Sequence, residues 1–291
     1  MDSESLIIFC AVAAELSITQ AAVRLGRAPS NVTTRVQQLE ADIGTDLFVR
    51  TGKRIALSGA GEQFLDYAKR ILALEEEARH VITGGRDGGM LRIGSMESTA
   101  ASRLPSLLAA FHSRHRETRL ELSTGPSRKL IEQVRTGKLD CAFATLPLSV
   151  EDISGMKELG LQARTIWTEE LLLLLPASES HARSVRDIRT RSLAAFPQGC
   201  TYRSIADEWL GVAGSTDWQI QEMSSYHSMI AFVSAGACVT VLPESVLKLT
   251  AAPEELKSLP LGPIDTCLIW RDNYDVPAFK NLLSVIEEAG L

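Results

Sequence analysis

Two sets of residues have the types and spacing to do chemistry, and in both the chemistry is binding. The first is the run PSNVTTR at residues 29–35. Pro29 opens an expected helix, Ser30, Asn31, Thr33 and Thr34 offer short hydrogen-bonding groups, and Arg35 adds a guanidinium. Such side chains reach base edges when a helix N-terminus enters a major groove, and the free N–H groups there favour phosphate. Arg50, Lys53 and Arg54 follow closely, bases suited to backbone or minor-groove contact or to an ordinary solvated turn. The second set lies far along the chain, in hydroxyl-bearing stretches at residues 95–99, 145, 199–202 and 225–228. It comprises Ser95, Glu97, Ser98, Thr99, Thr145, Gly199, Cys200, Thr201, Tyr202, Ser225, Tyr226 and His227. Glu97 could pair with an amine on a small ligand, and a solvated loop acid fits it equally well. Ser98, Thr99, Thr201 and Ser225 are also ordinary helix-capping types, and Tyr202, Tyr226 and His227 suit cavity walls or core and rim positions. A redox role for Cys200 would need a depressed pKa and a resolving cysteine, and none is evident.

Catalysis is excluded more readily. The chain has no GxSxG, no HExxH and no nucleotide fingerprint, and its five histidines (80, 112, 115, 181 and 227) lack metal-ligand spacing. The glycine-rich GGRDGG at residues 84–89 has no strand before it and no GK[ST] after it, so it reads as a joint. No cofactor and no metal are expected.

The first set needs elements to present it. Residues 2–43 read as three helices, with Leu6, Phe9, Val12 and Ala13 at helical spacing in the first. Ser17 can cap a helix running to Leu25, and Gly26 can supply the positive φ of a tight turn. The helix after it buries Val32, Val36 and Leu39, and small Ala21 and Ala22 mark the crossing. This is the pattern of a helix-turn-helix, which an ordinary helical hairpin shares; the polar open side favours the former. LFVR and RIAL then alternate as two strands around Thr51-Gly52-Lys53, a wing. Net charge is −6, yet residues 16–60 hold six bases against three acids while residues 61–291 hold 24 against 30. A small basic head on an acidic body is compatible with duplex DNA, because phosphate contact is local. From residue 58 to 83, Phe64, Tyr67, Ile71, Leu74, Ala78 and Val81 recur at 3/4 spacing, a heptad seam for a second copy. Two heads on one duplex raise effective concentration.

The second set sits in residues 90–291, which alternate strand and helix: LRIGS, RLELST, LDCAFA, LLLLLP, IQEM, ACVTVLP and CLIW as strands, with helices at about residues 100–113, 128–137, 205–210, 228–235 and 277–288. That alternation implies parallel sheets. Ligands bind beyond the carboxyl ends of such strands, the rule that picks the four hydroxyl-bearing stretches. A length of 291 residues, 45% hydrophobic and 23% charged, suits about two globular domains at ~100–200 residues each. No apolar run approaches a membrane span, the N-terminus carries no secretory pattern, and five cysteines without a CxxC pair fit a reducing cytoplasm.

The ordered set AAVRLG, VTTRVQQLE, LFVR and ALSGAG resembles the LysR-type transcriptional regulators, and the likeness runs over essentially the whole chain. It implies an α/β protein: a winged helix-turn-helix at residues 1–58, a dimerising linker helix and hinge at 59–89, and a two-lobed effector domain of the periplasmic-binding-protein type 2 at 90–291. Lobe I would take 90–161 plus 266–291 and lobe II 162–265. Matching the family's DNA-contacting region are Thr19, Gln20, Ser30, Asn31, Thr33, Thr34, Arg35 and Arg50. The chain departs from the family at Ala28-Pro29-Ser30-Asn31, where Ser-Gln-Pro-Ala is common, and at Cys238, where glycine is usual. PSNVTTR, ESTA, GCTYR and SSYHSM are similar to a subgroup regulating glutamate and putrescine metabolism. The implied function is sequence-specific promoter binding controlled by a small effector, such as an amino acid or polyamine-related metabolite. The implied partners are double-stranded DNA, a second copy in dimers or tetramers, and RNA polymerase if the protein activates; no membrane is implied. The alternative is a cytoplasmic small-molecule receptor or enzyme with a helical partner-docking head.

Overall fold

The computed structural model describes residues 1–51, 54–83, 89–146, 153–212, 215–250, 253, 255–272 and 274–291, with the side chains of 50, 51, 54, 76, 77, 80, 81 and 83 outside the description. The chain divides into two compact units, Met1–Gly84 and Gly85–Leu291. In the first, α1 (Ser3–Glu15), α2 (Ile18–Leu25) and α3 (Pro29–Ile43) precede a hairpin of β1 (Phe48–Thr51) and β2 (Arg54–Leu57), and α4 (Gly59–Thr83) closes the unit. Asp2 caps α1 by accepting from the Ser5 N–H, and Ser17 caps α2 through the Gln20 N–H. Gly26, at φ 64°, ends α2 in the left-handed conformation that makes the turn into α3. Leu6, Phe9, Val12, Ala21, Ala22, Val32, Val36 and Leu39 form one core with Leu47, Phe48 and Ala68. Ser58 lies outside α4 and caps it, its Oγ accepting from the Gly61 N–H at 2.9 Å. Gly61 has no alternative, because a Cβ there would lie 2.0 Å from the Leu47 carbonyl oxygen.

The 3/4 stripe of α4 divides. Phe64 packs edge-on to Phe9, with ring centroids 5.2 Å apart, so it belongs to the head's own core rather than to a seam. Tyr67, Ile71, Leu74 and Ala78 are exposed, Leu74 to 63%. The Val81 side chain, and residues 84–88 of the glycine-rich joint, lie outside the described residues.

The second unit holds β3 (Met90–Ser95), α5 (Glu97–Ser102), α6 (Leu104–Arg114), β4 (Arg119–Thr124), α7 (Ser127–Arg135), β5 (Cys141–Ala144), α8 (Gly155–Glu158), β6 (Leu161–Leu175), β7 (Ser192–Ala195), α9 (Thr201–Trp209), β8 (Gln219–Glu222), α10 (Tyr226–Ser234), β9 (Val239–Pro243), α11 (Glu244–Leu247), β10 (Lys257–Arg271) and α12 (Pro277–Glu288). Among the described residues its eight strands join one sheet in the order β4-β3-β5-β10-β6-β9-β7-β8. The sheet is mixed, not parallel throughout. β3, β4 and β5 run parallel at one end and β7, β8 and β9 at the other, while β6 and β10 pair antiparallel along their whole length in the middle. LLLLLP and CLIW are thus the buried ends of two fifteen-residue strands, whose other residues are too polar to read as strand. The register of β10 shifts at Pro260/Gly262 and at Thr266/Cys267, where the pair bends between the halves.

The helix expected over residues 100–113 is two helices. Pro105 lies in the first turn of α6, where a missing N–H costs nothing, and the chain breaks at Arg103, which also closes α5. β7 was not visible in SLAA, four small or apolar residues with no alternation. Leu91, Ile93, Phe111, Phe143, Leu268 and Phe279 anchor one core; Leu173, Leu193, Tyr202, Val239 and Ile269 belong to another.

Candidate functional site

In the first unit, the outer face of the helix-turn-helix carries the polar residues singled out from the sequence. Thr19, Gln20, Pro29, Ser30, Asn31 and Thr34 are exposed, and Thr33 is half-buried. No side chain caps α3; Pro29 has no N–H and the Asn31 and Val32 N–H groups donate to the Ala28 carbonyl, which leaves the Ser30 N–H of the first turn for an anion. The Thr33 hydroxyl donates to the Pro29 carbonyl at 2.9 Å and the Thr34 hydroxyl to the Ser30 carbonyl at 3.0 Å. Both hydroxyl oxygens keep acceptor capacity that faces outward. Arg35 is held rather than extended: its Nη2 donates to Glu4 Oε2 at 2.8 Å. Arg50 and Arg54 oppose Ile55 and Thr51 in the wing, with side chains outside the described residues, and Lys53 lies wholly outside them.

In the second unit, a cavity of about 190 Å³ opens at the carboxyl ends of β3 and β4 on one side and β7 and β8 on the other. Of the residues chosen from sequence, Glu97, Ser98, Cys200, Tyr202 and Tyr226 line it. The first turns of α5, α7, α9 and α10 each contribute a lining residue, so four helix N-termini meet there. Two hydrogen bonds tie the halves together beside it. The Arg128 N–H donates to the Gly199 carbonyl at 3.3 Å, and the Thr201 hydroxyl to the Thr145 carbonyl at 3.3 Å. Ser95 and Thr99 are buried without lining the cavity, the Ser95 hydroxyl donating to the Met96 carbonyl. Ser225 occupies the cap position of α10 but makes no side-chain capping bond, and neither α5 nor α9 has one. Capping is therefore not what occupies these hydroxyls.

Two polar atoms of the cavity lining, Glu97 Oε2 and Ser127 Oγ, are buried without a hydrogen-bond partner. The Tyr202 hydroxyl lies in a buried cluster with those of Thr145, Ser98 and Thr266, which interact with it without a hydrogen bond of good geometry. Burial pushes the Glu97 carboxyl above the usual carboxylate range, and nearby His227 partly opposes this. Burial likewise pushes the Cys200 thiol up, so it is protonated at neutral pH and poorly nucleophilic. Phe196 and Tyr226 meet edge to face at 4.9 Å and form an aromatic wall. Buried Arg203 fixes that wall by donating from Nη1 to the Phe196 carbonyl at 3.1 Å.

Sequence reasoning missed Met96, Thr124, Gly125, Pro126, Ser127, Phe196, Pro197 and Ser224. The loop after β4 was within reach, since RLELST and the helix after it were both legible. Phe196 and Pro197 follow β7, the strand that was not.

Residues 3–62 match the family described as bacterial regulatory helix-turn-helix protein, lysR family, and residues 84–290 match the LysR substrate binding domain. The chain is 36% identical to the HTH-type transcriptional regulator GltR of Bacillus subtilis (strain 168), over 85% of this chain and 81% of that one. It is 31% identical to CzcR of the same organism, over 99% and 98%. Among solved structures, full-length CbnR complexed with its target DNA superposes with a TM-score of 0.69 at 24% identity, covering 99% of this chain and 100% of that one. A full-length OxyR variant from Pseudomonas aeruginosa gives 0.70 at 21% identity, over 99% and 95%. Among the described residues no helix is long and apolar enough to cross a membrane. A helix-turn-helix head with an open polar face, followed by a two-sided α/β unit with a cavity at its strand ends, is what these matches describe: the chain belongs to the LysR family of DNA-binding transcriptional regulators.

Proposed function

We propose that this regulator senses a small zwitterion, of amino-acid size and carrying an amine, in the cavity at Glu97, and that occupancy sets how its head engages promoter DNA. The carrying observation is the pair of unpartnered polar atoms on one cavity, Glu97 Oε2 and Ser127 Oγ, beside the poorly bonded hydroxyls of Ser98 and Tyr202. Buried polar groups are otherwise almost always bonded, so a ligand is the economical partner. The lining contains one carboxylate and no Lys, Arg or His, which suits an ammonium at Glu97. A ligand carboxylate would then face the helix N-termini. The volume is below the ~300–1,000 Å³ of drug-sized clefts, which favours a small metabolite. Ser95, Thr99, Thr145, Gly199, Cys200, Thr201, Ser225, Tyr226 and His227 complete the effector region in this reading.

The two halves of the sheet act as lobes joined by β6 and β10, at 90–161 plus 266–291 and 162–265. Effector binding changes regulation only by favouring one arrangement over another. Promoter contact falls to Thr19, Gln20, Pro29, Ser30, Asn31, Thr33, Thr34, Arg35, Arg50, Lys53 and Arg54. The exposed Tyr67-Ile71-Leu74-Ala78 stripe supports dimerisation through α4, with tetramers built on it and RNA polymerase as the partner of an activator. The protein works in the cytoplasm, and the subgroup regulating glutamate and putrescine metabolism fits an amine-bearing effector. Calorimetry against a panel of amino acids and polyamines, comparing wild type with Glu97→Gln, tests the reading. A panel member should bind the wild type, and the substitution should weaken it at least tenfold. Equal affinity in both proteins would remove Glu97 from the site.

A further inference from the structure

The charge of the head is not what its sequence window suggests. The acids of the first fifteen residues, Asp2, Glu4 and Glu15, all pair with bases of the helix-turn-helix. Glu15 accepts from Arg24 at 3.2 Å. Glu4 spans two guanidiniums, its Oε1 lying 2.5 Å from Arg27 Nη2 and its Oε2 2.8 Å from Arg35 Nη2. Asp2, which caps α1, adds a contact to Arg35 Nη1 at 3.6 Å. Arg27 precedes α3, and Arg35 lies one turn after exposed Asn31 on the same face. Glu4 therefore holds the two guanidiniums that flank the first turns of the recognition helix.

Stability does not account for this cluster. Its side chains are 34–58% exposed, and exposed ion pairs contribute only about 0–1 kcal/mol. The first helix is already fixed by buried Leu6, Ile8, Phe9 and Val12. What the cluster does control is the charge offered to phosphate. A free guanidinium meeting any duplex releases a counterion, whichever bases lie beneath it. One neutralised by a carboxylate gains nothing until that pair opens.

We infer that Glu4 is a specificity-determining residue of the DNA interface: it competes with phosphate for Arg27 and Arg35, so that only a duplex making the full set of base contacts opens the pairs. Random DNA is thereby denied two of the head's cations.

The test uses the full-length protein, a random-sequence duplex, and a duplex selected by the wild type from a random pool, with affinity measured against salt concentration. Glu4→Gln should bind random DNA more tightly, with a salt slope steeper by roughly one to two. Its advantage over wild type should widen about 3.5-fold per released guanidinium from about 200 to 50 mM salt, and its preference for the selected duplex should fall. Glu62→Gln is the control. Glu62, in the first turn of α4, makes no ion pair among the described residues, so this change removes the same charge but frees no cation, and should keep the wild-type slope. Adding Arg27→Ala and Arg35→Ala to Glu4→Gln should restore it. A Glu4→Gln slope equal to that of wild type or of Glu62→Gln would overturn the inference, as would a steep slope that survives removal of both arginines.

Discussion

Leaving a polar oxygen buried without a partner costs about 1–3 kcal/mol, and the Tyr202 hydroxyl has no hydrogen bond of good geometry in its buried hydroxyl cluster. Removing that hydroxyl should therefore spare the empty protein while harming the complex. Tyr202→Phe is expected to leave thermal stability unchanged or slightly raised, and to weaken the effector by about five- to tenfold, the worth of one net hydrogen bond; melting and calorimetry on the same samples check both. Glu97 adds a pH signature. Burial raises its folded pKa above the unfolded value, so the unfolded chain gives up the proton first. The destabilisation is absent below the ordinary carboxylate pKa and grows as pH rises through the raised one. Glu97→Gln should accordingly melt with the wild type near about pH 4 and above it near pH 7. An ammonium effector should bind more weakly as pH falls through that same range, and the substitution should flatten the dependence. At this scale the sequence was legible where chemistry is local. Glu97, Ser98 and Tyr202 follow visible strands or precede visible helices, and the polar face of PSNVTTR is set by helical period alone. Pairings were not legible: nothing in the spacing of Glu4, Arg27 and Arg35 says that they touch.

Elements are held by charges as well as by cores. Asp140, just before β5, is buried and accepts from the Arg92 N–H at 2.7 Å and from its guanidinium at 3.1 and 2.5 Å, tying β3 to β5. Breaking a buried pair leaves the other charge uncompensated, which costs about 3–5 kcal/mol. Asp140→Ala should lose stability of that order in urea unfolding of the second unit's transition, while exposed Arg119–Glu121 should be removable at a cost within about 1 kcal/mol. On α4, Leu74→Lys should lower the dimer fraction in sedimentation without changing the helical signal, since Leu74 is 63% exposed and is not among the described residues of the head's core. Element reading from sequence succeeded for the amphipathic helices and for the short parallel strands other than β7. It found only the apolar ends of β6 and β10, because the rest of each strand is polar or half-buried. It took one helix for two at Arg103, because Pro105 reads as an interior residue until the break is seen.

At the scale of the whole molecule, regulation requires that the cavity's occupancy change how the DNA-binding head engages its duplex. Allosteric coupling of this kind is worth about 1–3 kcal/mol, or 5–150-fold in affinity. By linkage, DNA must alter effector affinity by the same factor as effector alters DNA affinity. Beyond residue 60 the chain carries 30 acids against 24 bases, a balance that disfavours phosphate, whereas residues 16–60 hold six bases against three acids. The most direct measurement is promoter-duplex affinity by fluorescence anisotropy, with and without the amino-acid-sized effector found by calorimetry, for wild type and Glu97→Gln. A 5–150-fold shift at saturating effector is expected in the wild type, with the effector concentration that gives half of it raised at least tenfold in Glu97→Gln and effector-free DNA binding intact. A shift with the same effector midpoint in both proteins would contradict this.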